Sequence, residues 1–332
     1  MATRNAHLSP TTYRDTVKRI PTRNGYGEGV VEAGRTDKNV VVLCCDLTES
    51  TRSEAFKKAF PDRFVQMGIA EQSLAAIAGG MALEGKIPFI SSYAAFSPGR
   101  NFEQIRLCIA LQNQSVKIMG AHAGVSVGPD GATHQMLEDI ALMRSLPNMT
   151  VVAPCDYLET KRATVAMAKM KGPGYLRFAR HASPSFTTDK TPFQIGRAEI
   201  FKDGDDVALV ACGPLLHEAL LAARLLKKDG VSAMVINSHT IKPLDEKTIA
   251  AAAKKCGAVV TVEEAQTVGG LGGAVAEALA RLQPTRMRMI GMNGFGTSGE
   301  PEELIAHFGL DRVAIAKSVK NMIQNRSINL YV

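Results

Sequence analysis

The chain has 332 residues, 45% of them hydrophobic and 21% charged, with a formal net charge of +7. That length is too great for one ordinary core and predicts two soluble, globular domains. No apolar run approaches the ~18 residues of a membrane span, and scattered Lys and Arg with 5% aromatics and no Trp lack the concentrated basic stripe of a nucleic-acid binder.

The opening "MATRNAHLSPTTYRDTVKR" has no apolar signal segment, so export is not expected. Residues 1–20 read as a loosely held polar arm. Six cysteines without metal-ligand or disulfide spacing read as reduced, buried thiols of a cytoplasmic protein.

From there short apolar runs alternate with amphipathic stretches. "VVVLCCD" (40–46) and "FVQMGI" (64–69) read as buried strands, and an Ala-rich helix starts at Glu71. "IPFISSY" is a strand, "RNFEQIRLCIALQ" a helix, "VKIMGAHA" a strand and "HQMLEDIALMRSL" a helix. "MTVVAP", "YLETKRATVAMAKMK" and "GYLRFA" continue the alternation as strand, helix and strand. Such a pattern predicts an α/β fold, a doubly wound parallel sheet over 21–185. The polar stretch 183–194 reads as a linker. Alternation then resumes with "VALVACG", a helix to Asp229, "SAMVIN", a helix over 245–256, "AVVTVEE", a glycine-led helix from Gly270 and "RMRMIGM". That is a second, smaller doubly wound domain over 195–332.

Ligands of such sheets sit beyond the carboxyl ends of the strands. The unusual residues gather there: "DLTES" (46–50), "GIAEQ" (68–72), "SSYAAFSPGR" (91–100), "HAGVSVGPDGATHQ" (122–135) and "RFARH" (177–181). The fourth stretch puts His122, Asp130 and His134 in one glycine-rich loop, a better site candidate than any lone histidine. Glu71 is odd, a carboxylate opening an otherwise apolar helix. By itself it reads as a helix-start anion favoured by the macrodipole. "VGGLGGAVAEAL" (268–279) is neither a dinucleotide fingerprint nor a Walker loop, and its glycines suit close helix–strand packing.

The order and spacing of these stretches resemble the second half of transketolase, the pyrimidine-binding domain plus the carboxy-terminal domain, over roughly residues 20 to 330. "GIAEQ" is similar to the family's catalytic-glutamate motif. "GPDGATHQ" followed by "LPNMTVVAP" is the more specific match, and "DGDDVALVACG" and "FGTSGEPEELIAHFGL" resemble the start and end of the last domain. The resemblance implies thiamine diphosphate with a divalent metal, Mg2+ or Ca2+, and transfer of a two-carbon ketol unit between phosphosugars, as in the pentose phosphate pathway.

Carried over residue by residue, it implies that Glu71 hydrogen-bonds the cofactor's aminopyrimidine. A carboxyl sharing a proton with a weakly basic ring has to be desolvated, so a closed apolar pocket of Ala, Ile and Gly neighbours is expected. Phe96 would stack on the pyrimidine, Tyr93 line the same pocket and Asp46 lie near the cofactor, while Gly99 replaces a further aromatic. Arg23, Ser50, His122 and Arg180 would bind the sugar phosphate, His122 donating when protonated or in the right tautomer. Asp130 would bind a donor hydroxyl, and His134 the atoms near the reacting carbon. The family's Gly-Asp-Gly motif for the metal and diphosphate is missing, since "KDGDD" has the wrong pattern. A partner subunit resembling the amino-terminal half of transketolase would supply it, in an α2β2 assembly.

Three alternatives remain open. A 1-deoxyxylulose-5-phosphate synthase uses a related fold and the same glutamate, with an acidic residue where this chain has His122. A 2-oxoacid dehydrogenase beta subunit shares the layout but lacks "DGATHQ". A catalytically idle scaffolding homologue is the third. The particular sugar is not legible.

Overall fold

The computed structural model describes residues 6–324. Residues 1–5 of the expected arm and 325–332 of the expected second domain lie outside the described residues. In chain order, β1 (Arg19–Pro21) runs into α1 (Thr22–Thr36), followed by β2 (Val40–Cys44), α2 (Glu54–Ala59), β3 (Phe64–Gln66), α3 (Glu71–Leu83) and β4 (Ile87–Tyr93). Then come α4 (Phe102–Gln104), which passes into a π-helical turn over Ile105–Ala110, β5 (Lys117–Ala121), a 3-10 segment over Val125–Asp130, α5 (Asp139–Ser145) and β6 (Thr150–Val152). The first half closes with α6 (Tyr157–Ala168), β7 (Gly174–Phe178) and β8 (Ala182–Pro184). The second half contains β9 (Glu199–Lys202), β10 (Val207–Ala211), α7 (Leu215–Lys228), β11 (Ala233–Asn237), β12 (Thr240–Lys242), α8 (Glu246–Cys256) and β13 (Ala258–Gln266). It ends with α9 (Leu271–Leu282), β14 (Arg286–Met292), α10 (Pro301–His307) and α11 (Arg312–Gln324).

The first sheet has the order β12-β6-β7-β5-β4-β2-β3, and every pairing between β2 and β7 in it is parallel. All five residues of β2 and of β5 are buried, because helices cover both faces. After β3, on one side of β2, the chain returns to β4 on the other side. This reversal opens a crevice at the carboxyl ends of β2 and β4.

Helix α1 has no counterpart among the expected elements, because its four glycines depress helix propensity. Packing explains them. A Cβ on Gly25 would lie 2.2 Å from the Tyr157 carbonyl oxygen, and one on Gly29 would lie 2.7 Å from Thr164 Cβ, so only glycine lets α1 sit this close to α6. The helix expected over 134–146 is shorter, starting only at Asp139.

The second sheet, β14-β13-β10-β11-β9, is parallel except for β9. Between β11 and β13 the chain crosses over: β12 adds itself antiparallel to β6 of the first sheet. The two sheets also share one apolar core, with Leu43, Ile90, Ile118 and Tyr175 in the same cluster as Ala208, Val210, Ile236 and Val259. Burying each large aliphatic side chain is worth about 1.5–3 kcal/mol, so this seam is a stable one.

Two sequence expectations need correcting. The arm is not loosely held over its described part: the Thr12 carbonyl accepts from His217 Nε2 at 2.8 Å, the Tyr13 carbonyl accepts from Arg224 at 2.9 Å, and Val17 is buried. Nor is 183–194 a free linker. Phe186 is fully buried, and the Phe186 and Thr187 N–H groups donate to Asp156 Oδ2 at 2.8 and 2.7 Å. No helix among the described residues is long and apolar enough to cross a membrane.

Candidate functional site

Gly68 adopts φ +68° and turns the chain out of β3, so that α3 begins at Glu71 without a side-chain cap. The Glu71 side chain is then carried into the crevice, where the residue is only 2% exposed. Its surroundings differ from the expected apolar pocket. Ser92 Oγ donates to Glu71 Oε1 at 3.1 Å, and Arg100 Nη1 binds Oε2 at 2.7 Å. Asn101 Nδ2 holds the Glu71 carbonyl at 2.8 Å, while Ile69, an expected wall residue, is 77% exposed. A buried carboxylate needs such partners to offset its lost hydration. Arg100, not singled out from the sequence although it closes "SSYAAFSPGR", also lies over the Phe96 ring at 4.6 Å. One guanidinium therefore orients both the carboxylate and the aromatic face beside it.

Four rings meet next to this pair. Tyr93 stacks on His122 with centroids 4.0 Å apart and an interplanar angle of 25°. His134 meets Phe96 edge-on at 5.5 Å and Tyr93 at 6.3 Å. Ser50 Oγ ties the group together, 2.8 Å from the Tyr93 hydroxyl and 3.2 Å from His122 Nε2. The His134 Nδ1 atom lies 2.8 Å from Thr133 Oγ1. Gly99 cannot restore an aromatic wall, since a Cβ there would stand 2.2 Å from the Ala95 carbonyl oxygen.

Three guanidinium groups cluster behind the rings. Arg23 donates from Nη1 to the Ser50 carbonyl at 2.9 Å, but its buried Nε has no partner. Burial lowers the Arg23 pKa below the ordinary arginine value, helped by the positive charges of Arg52 and Arg180. Arg180 pairs with Asp130 at 3.0 Å, and Arg52 Nε donates to Asn24 at 2.9 Å. Arg52 was missed; it lies two residues past Ser50 in a loop where the sequence offered no further motif. Such a concentration of cations favours an anion with several oxygens, as a phosphate has.

The same cations bear on His122. It is fully buried, and burial first, then Arg23, Arg180, Arg52 and His134, push its pKa down from 6.5 to about 3. The imidazole is neutral near pH 7, so it does not donate as a protonated base would. Its Nε2 lies 3.2 Å from Ser50 Oγ and its ring stacks on Tyr93, while the buried Nδ1 has no hydrogen-bond partner among the described residues.

The structure thus brings Glu71, Phe96, Tyr93, Ser50, His122, His134, Arg23, Asp130 and Arg180 to one end of the first sheet. Asp46 follows β2 by two residues. It is exposed with φ +54°, its N–H donating to Gln66 Oε1 at 3.0 Å. The "VGGLGGAVAEAL" glycines serve packing: a Cβ on Gly272 would lie 2.9 Å from the Met289 side chain on β14.

A switch-point crevice with a buried carboxylate, an aromatic box and a guanidinium cluster defines an α/β protein built to bind a ligand that is aromatic at one end and anionic at another. Residues 18–185 match the transketolase pyrimidine-binding domain and residues 196–315 the transketolase C-terminal domain, and the chain belongs to the transketolase family. A chain of Methanocaldococcus jannaschii assigned to the C-terminal section of transketolase is 45% identical over 302 residues, 90% of this chain and 94% of that one. Human transketolase is 39% identical over 309 residues, and this chain spans 49% of its length. A solved split-gene transketolase, described as an inactive β4 tetramer, superposes with a TM-score of 0.86 at 40% identity, covering 92% of this chain and 99% of the other.

Proposed function

We propose that this chain is the C-terminal subunit of a two-subunit, thiamine-diphosphate-dependent transketolase, which moves a two-carbon ketol unit from a ketose phosphate to an aldose phosphate. The observation that carries the reading is the Glu71 carboxylate, 2% exposed at the carboxyl end of the sheet, with a half-buried aromatic ring poised beside it through Arg100. That pair fits the aminopyrimidine half of the cofactor: one carboxyl oxygen to share a proton with a ring nitrogen and one aromatic face to stack on. Bound thiamine diphosphate supplies the electron sink needed to break and form a carbon–carbon bond beside a carbonyl.

The chain's own groups divide the remaining work. Glu71 offers its carboxyl to a ring nitrogen of the cofactor, Phe96 and Tyr93 wall the ring, and Asp46 is assigned to the cofactor's side of the crevice. Arg23, Arg52 and Arg180 take the sugar phosphate, with Ser50 positioned by neutral His122. Asp130 and His134 take sugar hydroxyls near the reacting carbon. The metal, Mg2+ or Ca2+, and the diphosphate belong to an N-terminal partner subunit in an α2β2 assembly, which works on pentose phosphate sugars in the cytoplasm. The working division is an arm over 1–20, a pyrimidine-binding domain over 21–185 and a C-terminal domain over 195–332. The inactive β4 form of the split-gene relative supports a need for the partner.

The test offers the assembled enzyme xylulose 5-phosphate and pyruvate together, with an aldose phosphate acceptor. Transfer from xylulose 5-phosphate with release of glyceraldehyde 3-phosphate is expected. Preference for pyruvate with formation of deoxyxylulose phosphate would overturn the reading.

A further inference from the structure

The loop from His122 to Gln135 carries two of the proposed sugar-binding residues, Asp130 and His134, and His122, which positions Ser50, yet it is irregular and turns through Gly124, Gly128 and Gly131 at positive φ. A segment of that kind has little local reason to hold one shape. Its own backbone bonds, among them Gly124 N–H to the Met136 carbonyl at 2.9 Å and His134 N–H to the Gly131 carbonyl at 3.0 Å, are joined by contacts from the second domain. Glu264, in β13 and 3% exposed, accepts the Ser126 N–H at 2.6 Å through Oε1. Ser298 Oγ donates to the Pro129 carbonyl at 2.8 Å. Gln135 Nε2 donates to the Thr297 carbonyl at 2.8 Å while also reaching the loop's own Val125 and Gly128 carbonyls at 3.1 and 3.2 Å. The contacts are tight on both sides. A Cβ on Gly124 would lie 2.3 Å from Glu264 Oε1, and one on Gly296 would lie 2.0 Å from Gln135 Oε1.

We infer that Glu264 and Gln135 are positioning residues. The second domain, which among the described residues adds no ring to the aromatic box, fixes the 122–135 loop so that Asp130 and His134 face the substrate while His122 stays behind Ser50. The physical cause is the buried Ser126 N–H. An N–H in irregular backbone has no ladder partner and needs an acceptor, and a carboxylate is a strong one. The fastening is independent of which ligand enters. Its consequence for sugar binding rests on the transketolase reading.

The test uses Glu264→Ala, Glu264→Gln and Ser298→Ala in the full chain, alone for amide exchange and with its partner subunit for kinetics. Glu264→Ala should speed hydrogen–deuterium exchange of the Ser126 amide about tenfold or more, as loss of a charge-assisted bond implies. Protection of β10 and β11 should stay within about twofold. In the assembled enzyme, KM for xylulose 5-phosphate should rise about tenfold with kcat within about threefold, the split expected when binding geometry loosens. Glu264→Gln retains an acceptor oxygen and should recover most of the loss. Should Glu264→Ala not fold, Ser298→Ala still loosens the loop from an exposed position and should raise KM about threefold.

An unchanged Ser126 exchange rate would overturn the inference, as would loss of protection spread evenly over the second sheet. So would a faster loop with an unchanged KM. A wild-type assembly that transfers no ketol unit would sink the transketolase reading instead, and the exchange measurement would still decide whether Glu264 fastens the loop.

Discussion

Replacing Glu71 with Gln keeps the size of the side chain and its hydrogen bond from Ser92, but removes the charge and the shareable proton. The stability effect follows from burial. The carboxylate is buried while the Arg100 side chain is 48% exposed, so the freed guanidinium can be rehydrated. The pair therefore lies between a surface ion pair, worth about 0–1 kcal/mol, and a fully buried one, whose disruption costs about 3–5 kcal/mol. Relief of the carboxylate's own desolvation offsets part of this, leaving a net loss of about 1–2 kcal/mol. A domain with this core should survive such a loss folded. Turnover should respond far more strongly, because proton transfer by a positioned side chain is worth about 10²–10⁴ in rate. The assay compares, in the assembled mutant and wild type, the melting temperature, the affinity for thiamine diphosphate and the exchange of the thiazolium carbon proton with deuterium. Exchange within a factor of about three of wild type would refute the reasoning and make Glu71 a helix-start anion paired with Arg100.

The chain without its partner should bind thiamine diphosphate weakly and transfer no ketol unit, and adding the partner should restore both; full activity of the chain alone, with the expression host's transketolase excluded, would end the half-enzyme reading. Arg180→Ala should raise KM for phosphorylated donors by about ten- to a hundredfold, the loss of one charge-assisted contact, and leave hydroxypyruvate nearly unaffected; equal losses with both donors would place Arg180 outside the phosphate pocket. Acid should destabilise the fold between pH 6.5 and about 3, because burial pushes the pKa of both His122 and His239 down to about 3. In that window the unfolded chain takes up protons that the folded one refuses, so each histidine lowers stability by up to about 1.4 kcal/mol per pH unit as pH falls. His239→Gln should therefore flatten the slope measured by urea unfolding between pH 6.5 and 4.5, and an unaltered slope would show that His239 titrates normally.

Much of the fold was readable from local pattern. The runs "IPFISSY" and "RMRMIGM" coincide with β4 and β14 to the residue, since short apolar or alternating runs bounded by loops fit a strand better than a helix. The candidate site was readable in part for the same reason: a parallel sheet sends its ligand to the loops after its strands, and those loops held the polar residues that no core would accept. Helix α1 was hidden because its glycines are explained only by partners elsewhere in the chain: Gly25 and Gly29 by α6, Gly27 by Arg52, and Gly34 by Phe56 and Phe60. Arg100 and Arg52 were hidden because a lone arginine in a loop reads as surface until its partner is known.

The sequence by itself determined the alternation of strands and helices, the two-domain order and the cluster of chemistry-bearing residues at the strand ends, because these depend on periodicity and local spacing. Only the tertiary structure decided how that chemistry is poised. It placed Arg100 against Glu71, buried His122 among three arginines so that it stays neutral, and sent β12 and Glu264 across from the second domain to complete the first. Charge, burial and hydrogen bonding between residues far apart in the chain have no period to read; they exist only once the chain has closed on itself.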